Sequence, residues 1–245
     1  MYLSVIGVML TGCKSQSGSQ KGEQTVTQND DVSVTARQSA PVDASATSVA
    51  SGANDIAVSS QSVKPGTLIT KKGVPLKLVG SPLELGEALP GLTLKNAVTG
   101  KDVSTESLIG KVLLISVVPA IATPVCTAQS TTLEKDSEAL SKDVIPITIS
   151  RDPEETLKHF AQSNTASHVL YLSDKASDTF GLATGLGIEG LDVLARAVIV
   201  VDKKGIVRLI QVVPEITHLP DMAKAIQVAN DLADMPASSD TSGLR

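Results

Sequence analysis

Lys111 to Cys126, KVLLISVVPAIATPVC, is the stretch on which the fold turns. Its first part, Val112 to Val118, is an apolar run rich in β-branched residues and interrupted only by Ser116. A run without alternation predicts a strand covered on both faces, as in a sheet with parallel neighbours. Pro119 ends it, because proline has no N–H to give to a ladder. A short loop then leads through Thr123 and Pro124 to Cys126, which opens the polar, helix-compatible segment TAQSTTLEKDSEALSKD. Cys126 therefore falls in the first turn of a helix, where backbone N–H groups lack partners and the dipole favours negative charge. A thiol so placed has its ionised form favoured and can act as a nucleophile. Taken alone, a cysteine is more often an inert buried residue, and Thr123 could equally be a helix N-cap.

Downstream, Val144 to Ser150 (VIPITIS) reads as a second buried strand. Asp152, Pro153, Glu154 and Glu155 form a helix start, with Asp152 as N-cap and Pro153 at the first position, and the helix runs to about Gln162. His168 to Leu172 is a third strand and Lys175 to Thr184 a helix. Arg196 to Asp202 and Ile206 to Val213 form a hairpin about the turn Lys203, Lys204, Gly205. Asp221 to about Asp234 carries Met222, Ala225, Ile226, Ala229 and Leu232 at helical spacing. Upstream, Gly66 to Leu78 reads as a β-hairpin, and Ser104 to Gly110 as a short helix or turn ahead of the central strand. Strands alternating with helices, then a terminal hairpin and helix, predict an α/β sheet layered by helices and compatible with a thioredoxin-like fold.

The ends of the chain have a different composition. Residues 14–61 are rich in Ser, Gln, Thr and Ala and nearly free of bulky apolar groups, which predicts a disordered linker. The globular domain is expected over 62–235 and a flexible tail over 236–245. Residues 1–13 form an apolar segment too short to span a bilayer. Their end, Leu10, Thr11, Gly12, Cys13, resembles the lipobox of bacterial lipoproteins. That resemblance implies cleavage before Cys13, acylation of Cys13 and a domain tethered to the outer side of a bacterial membrane. Lys14, rather than Asp, follows it, which does not suggest retention at the inner membrane.

Composition narrows the function. A net charge of −5 gives no electrostatic reason to expect nucleic acid, and two Phe, two Tyr and no Trp offer no set of base-stacking platforms. The core is expected to be built from Val, Ile, Leu and Ala. Cys13 and Cys126 show no CxxC spacing, and His159, His168 and His218 show no ligand spacing, so neither a disulfide reductase nor a metal site is indicated.

Pro119-x-x-x-Thr123-x-x-Cys126 after a buried strand resembles the peroxiredoxins. The hairpin at Gly66 to Leu78 is similar to that of the bacterial thiol peroxidase branch, and several later features also match it in order. These are Phe160, Ala161, Gln162; then Ala195, Arg196, Ala197; then Pro214 to Thr217 followed by Pro220 and Asp221. The resemblance spans roughly Gly66 to Asp234 and implies a thioredoxin-like, peroxiredoxin domain with an N-terminal β-hairpin. It implies Cys126 as peroxidatic nucleophile, Arg196 as the permanent charge favouring the thiolate and orienting the peroxide, Thr123 as hydrogen-bonding group and Pro119 as a shield against water. The N–H groups of Val125 and Cys126 are implied as donors at the helix start. Without that context Arg196 would read as a solvated strand-start charge. Glu215 and Thr217 are candidates to shape the pocket or a dimer face. No metal or organic cofactor is implied, and a homodimer is.

One departure matters. The thiol peroxidase branch generally carries a resolving cysteine after the Phe-Ala-Gln segment, and the matching position here is about Ala166. Cys13, if acylated, cannot substitute for it, so the internal disulfide of that branch is not expected. The expectation is a one-cysteine cycle in which a hydroperoxide oxidises Cys126 and an external thiol, either a thioredoxin-like protein or a low-molecular-weight thiol, reduces it. The competing expectation is a non-catalytic surface lipoprotein that keeps the fold as a binding scaffold.

Overall fold

The computed structural model describes residues 56–163 and 168–235. The segments read as signal and tail, and most of the linker, lie outside the described residues. In chain order the elements are β1 (Leu68–Lys71), β2 (Val74–Val79), β3 (Thr93–Asn96), β4 (Asp102–Ser104), β5 (Val112–Val117), α1 (Pro124–Ser137), β6 (Val144–Ser150) and α2 (Glu154–Ser163). They continue with β7 (Leu170–Ser173), α3 (Thr179–Thr184), β8 (Gly187–Ile188), β9 (Leu191–Leu194), β10 (Ala197–Val201), β11 (Val207–Val212) and α4 (Met222–Asp234). A 3-10 turn at Thr105–Leu108 precedes β5.

β5 is the middle of the molecule because every one of its residues is buried. The main sheet has the order β11-β10-β5-β6-β7-β3-β4. β5, β6 and β7 are parallel, while β10, β11, β3 and β4 join antiparallel to their neighbours. Alternation sends Val112, Leu114 and Val118 into a cluster with Leu133 of α1 and Ala225 and Ala229 of α4. Leu113, Ile115 and Val117 point the other way, onto Phe180 of α3 and onto Ile69, Leu78, Ile188 and Leu194 of a second sheet, β1-β2-β8-β9. The absence of alternation in the sequence is thus the signature of two covered faces. The core is aliphatic as expected, with Tyr171 and Phe180 as its largest fully buried side chains.

The hairpin β1–β2 forms about Lys72 and Gly73, both at positive φ (51° and 78°), the geometry of a primed two-residue turn that matches strand twist. Asp221 caps α4 through a bond from the Lys224 N–H. Other boundaries differ from the sequence reading. α2 begins at Glu154, and the Thr156 and Leu157 N–H groups bond the Pro153 carbonyl. Asp152 does not act as the cap: its carboxylate accepts from the Ile121 N–H at 2.8 Å and from the Ser150 hydroxyl. α3 is shorter than Lys175 to Thr184, because the buried Asp174 carboxylate captures the N–H groups of Phe180 and Gly181 and fixes the start there. The third strand begins at Leu170 instead of His168. β8 and β9 carry no local signal, being short and glycine-flanked, and exist because β2 pairs with β8.

The domain also starts earlier than residue 62. Residues assigned to the linker are held on the fold: Ser59 N–H bonds Leu219 O, Leu219 N–H bonds Ala57 O, and Gln211 Nε2 donates to Ser59 O at 2.7 Å. A polar composition predicted disorder, but backbone groups need only a partner, and Leu219 provides one.

Candidate active site

Cys126 is the third residue of α1 and is fully buried. Thr123 occupies the N-cap position and Pro124 the first turn, where its missing N–H costs nothing. The first helical bond runs from Thr127 N–H to Thr123 O at 2.8 Å. Helix geometry therefore leaves the N–H groups of Val125 and Cys126 without a carbonyl in the preceding turn. The loop between β5 and α1 is pinned at Ile121, whose N–H is held by Asp152 and whose carbonyl accepts from the Thr127 hydroxyl at 3.1 Å.

The structure brings two of the sequence-selected residues into contact. Arg196, 2% exposed, donates from Nη2 to Cys126 Sγ at 3.3 Å. Its Nε donates to the Ile216 carbonyl at 2.8 Å and its Nη1 to Gln129 Oε1 at 2.7 Å. Placing a guanidinium in the interior costs several kcal/mol unless its charge and N–H groups are met. Among the described residues Arg196 forms no carboxylate ion pair; its partners are a carbonyl, an amide oxygen and the sulfur. The Cys126 sulfur is the partner of the remaining guanidinium nitrogen.

Thr123 and Pro119 lie in the loop between β5 and α1. Thr123 is exposed, makes no capping bond, and donates its hydroxyl to Ala120 O at 3.1 Å. Pro119 is half-buried where β5 ends. Cys13 and Ala166 lie outside the described residues. His218 donates its N–H to the Glu215 carbonyl.

Sequence patterning alone does not single out Gln129. It is fully buried, one turn after Cys126, and on the same helix face. Its Nε2 donates to Ser116 Oγ at 2.8 Å and, at 3.4 Å, to the carbonyls of Val117 and Ala197. Arginine only donates, so the amide atom facing it must be the oxygen, and the Ser116 side fixes that orientation. The available signal was a polar residue three positions after the cysteine on a helix that must face the sheet.

Glu215 ties the β1–β2 hairpin to the segment after β11. Its carboxylate accepts from Thr70 Oγ1, the N–H groups of Lys72 and Gly73, and both the N–H and hydroxyl of Thr217. Burial pushes its pKa up, but the bonds from Lys72, Thr217, Thr70 and Gly73 outweigh this and lower it to about 2. Thr217 is likewise engaged with Glu215.

A redoxin family model matches residues 84–226. A thiol peroxidase of Bacillus subtilis is 38% identical over 165 residues, which is 67% of this chain and 97% of the relative. The chain belongs to the redoxin family, in its thiol peroxidase branch. A thiol peroxidase of Staphylococcus saprophyticus is 36% identical over 165 residues, 67% of this chain and 98% of that protein. The solved structure of a peroxiredoxin-like protein from Aquifex aeolicus aligns with a TM-score of 0.61 at 29% identity, covering 67% of this chain and 96% of that one. A thiol peroxidase from Chromobacterium violaceum, 16% identical, shares the fold with a TM-score of 0.59 over 67% of this chain and 96% of that one. The thioredoxin-like, peroxiredoxin architecture expected from sequence is thus present, and the chain is a peroxiredoxin-type, thiol-dependent peroxidase.

Proposed function

We propose that this thiol peroxidase reduces hydrogen peroxide or alkyl hydroperoxides with Cys126 as its one redox-active cysteine. The observation that carries the reading is the buried Arg196 guanidinium, 3.3 Å from the sulfur and without a carboxylate partner among the described residues. The thiolate attacks one peroxide oxygen, an S–O bond forms and the O–O bond breaks. The departing alkoxide or hydroxide takes a proton, leaving Cys126 as sulfenic acid. Arg196 and the N–H groups of Val125 and Cys126 supply positive potential where negative charge moves, already oriented before reaction. In this reading Thr123 hydrogen-bonds the peroxide and Pro119 keeps bulk water from the sulfur. No second cysteine follows Cys126 in the chain, so an external thiol returns it to the reduced state.

The location proposed is the cell envelope, where the lipobox-like end at Cys13 would anchor the chain and the polar stretch behind it would give the domain reach. An antioxidant role there, by a homodimer, follows from the same reading. The test uses the chain with equimolar peroxide and a sulfenic-acid trap, read by intact mass, with Cys126→Ser as control. Rapid labelling that needs Cys126, and peroxide loss that quickens when thiol is added, are expected. Labelling no faster than that of a free cysteine would leave the scaffold reading in place. Palmitate labelling of the chain expressed in bacteria, lost in Cys13→Ser, checks the anchor.

A further inference from the structure

Ser116 is the one polar side chain in the run Val112 to Val118, and it is fully buried. A serine in the middle of a core strand forgoes apolar burial, and its hydroxyl needs a partner where water is excluded. That partner is the Gln129 amide, whose Nε2 donates to Ser116 Oγ at 2.8 Å. The residues flanking Ser116 in the sheet, Val198 of β10 and Thr148 of β6, do not bond Gln129. The carbonyls of Val117 and Ala197 accept from the same nitrogen at 3.4 Å, beyond the usual range of about 2.7–3.2 Å. Ser116 therefore supplies the firmest hold on the amide.

Hydrogen bonds run from this hydroxyl to the sulfur without a gap. Gln129 Oε1 accepts from Arg196 Nη1 at 2.7 Å, and Arg196 Nη2 donates to Cys126 Sγ at 3.3 Å. The guanidinium is a rigid plane with two other anchors, the Ile216 carbonyl on Nε and the Gln129 oxygen on Nη1. A bond at Nε alone leaves the plane able to pivot, so the anchor at Nη1 decides where Nη2 points. An amide that rocks in its socket moves the nitrogen that faces the sulfur. All four side chains in the chain of bonds are buried, where each bond is stronger than in water and neighbouring bonds reinforce one another.

We propose that Ser116 is a positioning residue of the peroxide reaction, acting on Cys126 through Gln129 and Arg196. It does not bond the sulfur itself. Its hydroxyl seats the amide, the amide aims the guanidinium, and the guanidinium meets the negative charge that moves as the O–O bond breaks. The inference rests on the one-cysteine peroxidase reading above.

The test compares Ser116→Thr with Ser116→Val in the full chain, two β-branched side chains of nearly the same shape of which only threonine carries the hydroxyl. The readout is the second-order rate of Cys126 oxidation by hydrogen peroxide in a single turnover without added thiol. Whatever the extra methyl does to packing is common to both variants, so the ratio of their rates isolates the hydroxyl. Ser116→Val should react about fivefold more slowly than Ser116→Thr, the size of a small misplacement remote from the reacting atoms. In a Gln129→Leu background the ratio should shrink below about twofold, because the link through which Ser116 acts is gone. Ser116→Ala, which adds no atoms, should be slowed about fivefold against the parent and carries the comparison if the valine variant does not fold. The role is overturned if the threonine and valine variants react alike, even where their Tm values differ, or if their ratio survives in Gln129→Leu. The unmodified chain is followed in the same assay. No Cys126-dependent reaction there overturns the peroxidase reading, whereas a normal parent reaction with matched variants overturns only the role of Ser116.

Discussion

Arg196 and Glu215 are both charged groups gripped by several hydrogen bonds, and they are gripped to opposite ends. The Glu215 carboxylate is saturated: its donors come from the β1–β2 hairpin and from Thr217. With every lone pair engaged, it is a fastener between the hairpin and the segment after β11. Arg196 has its Nε and Nη1 fixed by Ile216 and Gln129, and turns its Nη2 to the sulfur. A charge fully matched by neighbours holds structure, while a charge held firm but left short of a counter-ion is available for chemistry.

The sharpest way to break this contrast is to remove what the guanidinium faces. Cys126→Ser should abolish thiol-dependent peroxide turnover, a loss beyond about a thousandfold, because a hydroxyl is not ionised at neutral pH. Next is Arg196→Lys, which keeps the charge but cannot serve Ile216, Gln129 and Cys126 from one plane. Peroxide turnover should fall about a hundredfold or more, as when a preorganised donor is lost. If Lys supports near-full turnover, the geometry of the guanidinium is not what matters. Gln129→Leu removes the acceptor for Nη1 and leaves a buried donor unpaired, costing about 1–3 kcal/mol in chemical denaturation. It should also slow peroxide reduction about tenfold by loosening Arg196. A stability loss with unchanged kinetics would move Gln129 from positioning to packing.

Glu215 provides the smallest effects and the opposite signature. Its folded pKa of about 2 lies below the ordinary value of 4.5, so its contribution is fully present above that value and is lost as pH falls toward 2. Partial exposure discounts the shift, leaving about 1–2 kcal/mol at neutral pH. Thermal melts of Glu215→Gln should show a lower Tm than the parent at pH 7, with the gap closing between about pH 5 and pH 2. Peroxide turnover should change less than about threefold. Removing residues 57–61, which bond Leu219 and Gln211, should cost about 1 kcal/mol more, seen as a drop of a few degrees in Tm. If this deletion slowed the chemistry as much as Gln129→Leu, scaffold and site would not be separable.

Much of the fold was legible because its signals are local. The run Val112 to Val117 announces a strand with two covered faces, Pro119 its end, and the periodicity of Met222, Ala225 and Ala229 a helix laid on the sheet. Elsewhere a tertiary partner overrides a local preference. Asp152 is a good N-cap residue, but the Ile121 N–H claimed its carboxylate. Asp174 set the start of α3 from the end of β7, and β8 and β9 form because β2 offers an edge. Residues 57–59 look like linker by composition, yet Leu219 pairs with them.

By itself the sequence determined that Cys126 would open a helix behind a buried strand, since a β-branched run, a proline and then a helix-forming segment leave little else. It also determined that no second cysteine lies beyond Cys126 in the chain. Only the tertiary structure decided what surrounds the sulfur. β10 runs antiparallel to β5 with Ala197 opposite Val117, so the residue just before β10 lands beside the end of β5, where the cysteine loop departs. That register carries Arg196 across 70 residues of chain to within 3.3 Å of Cys126. Strand pairing is a long-range interaction with no local trace, and here it completes the site.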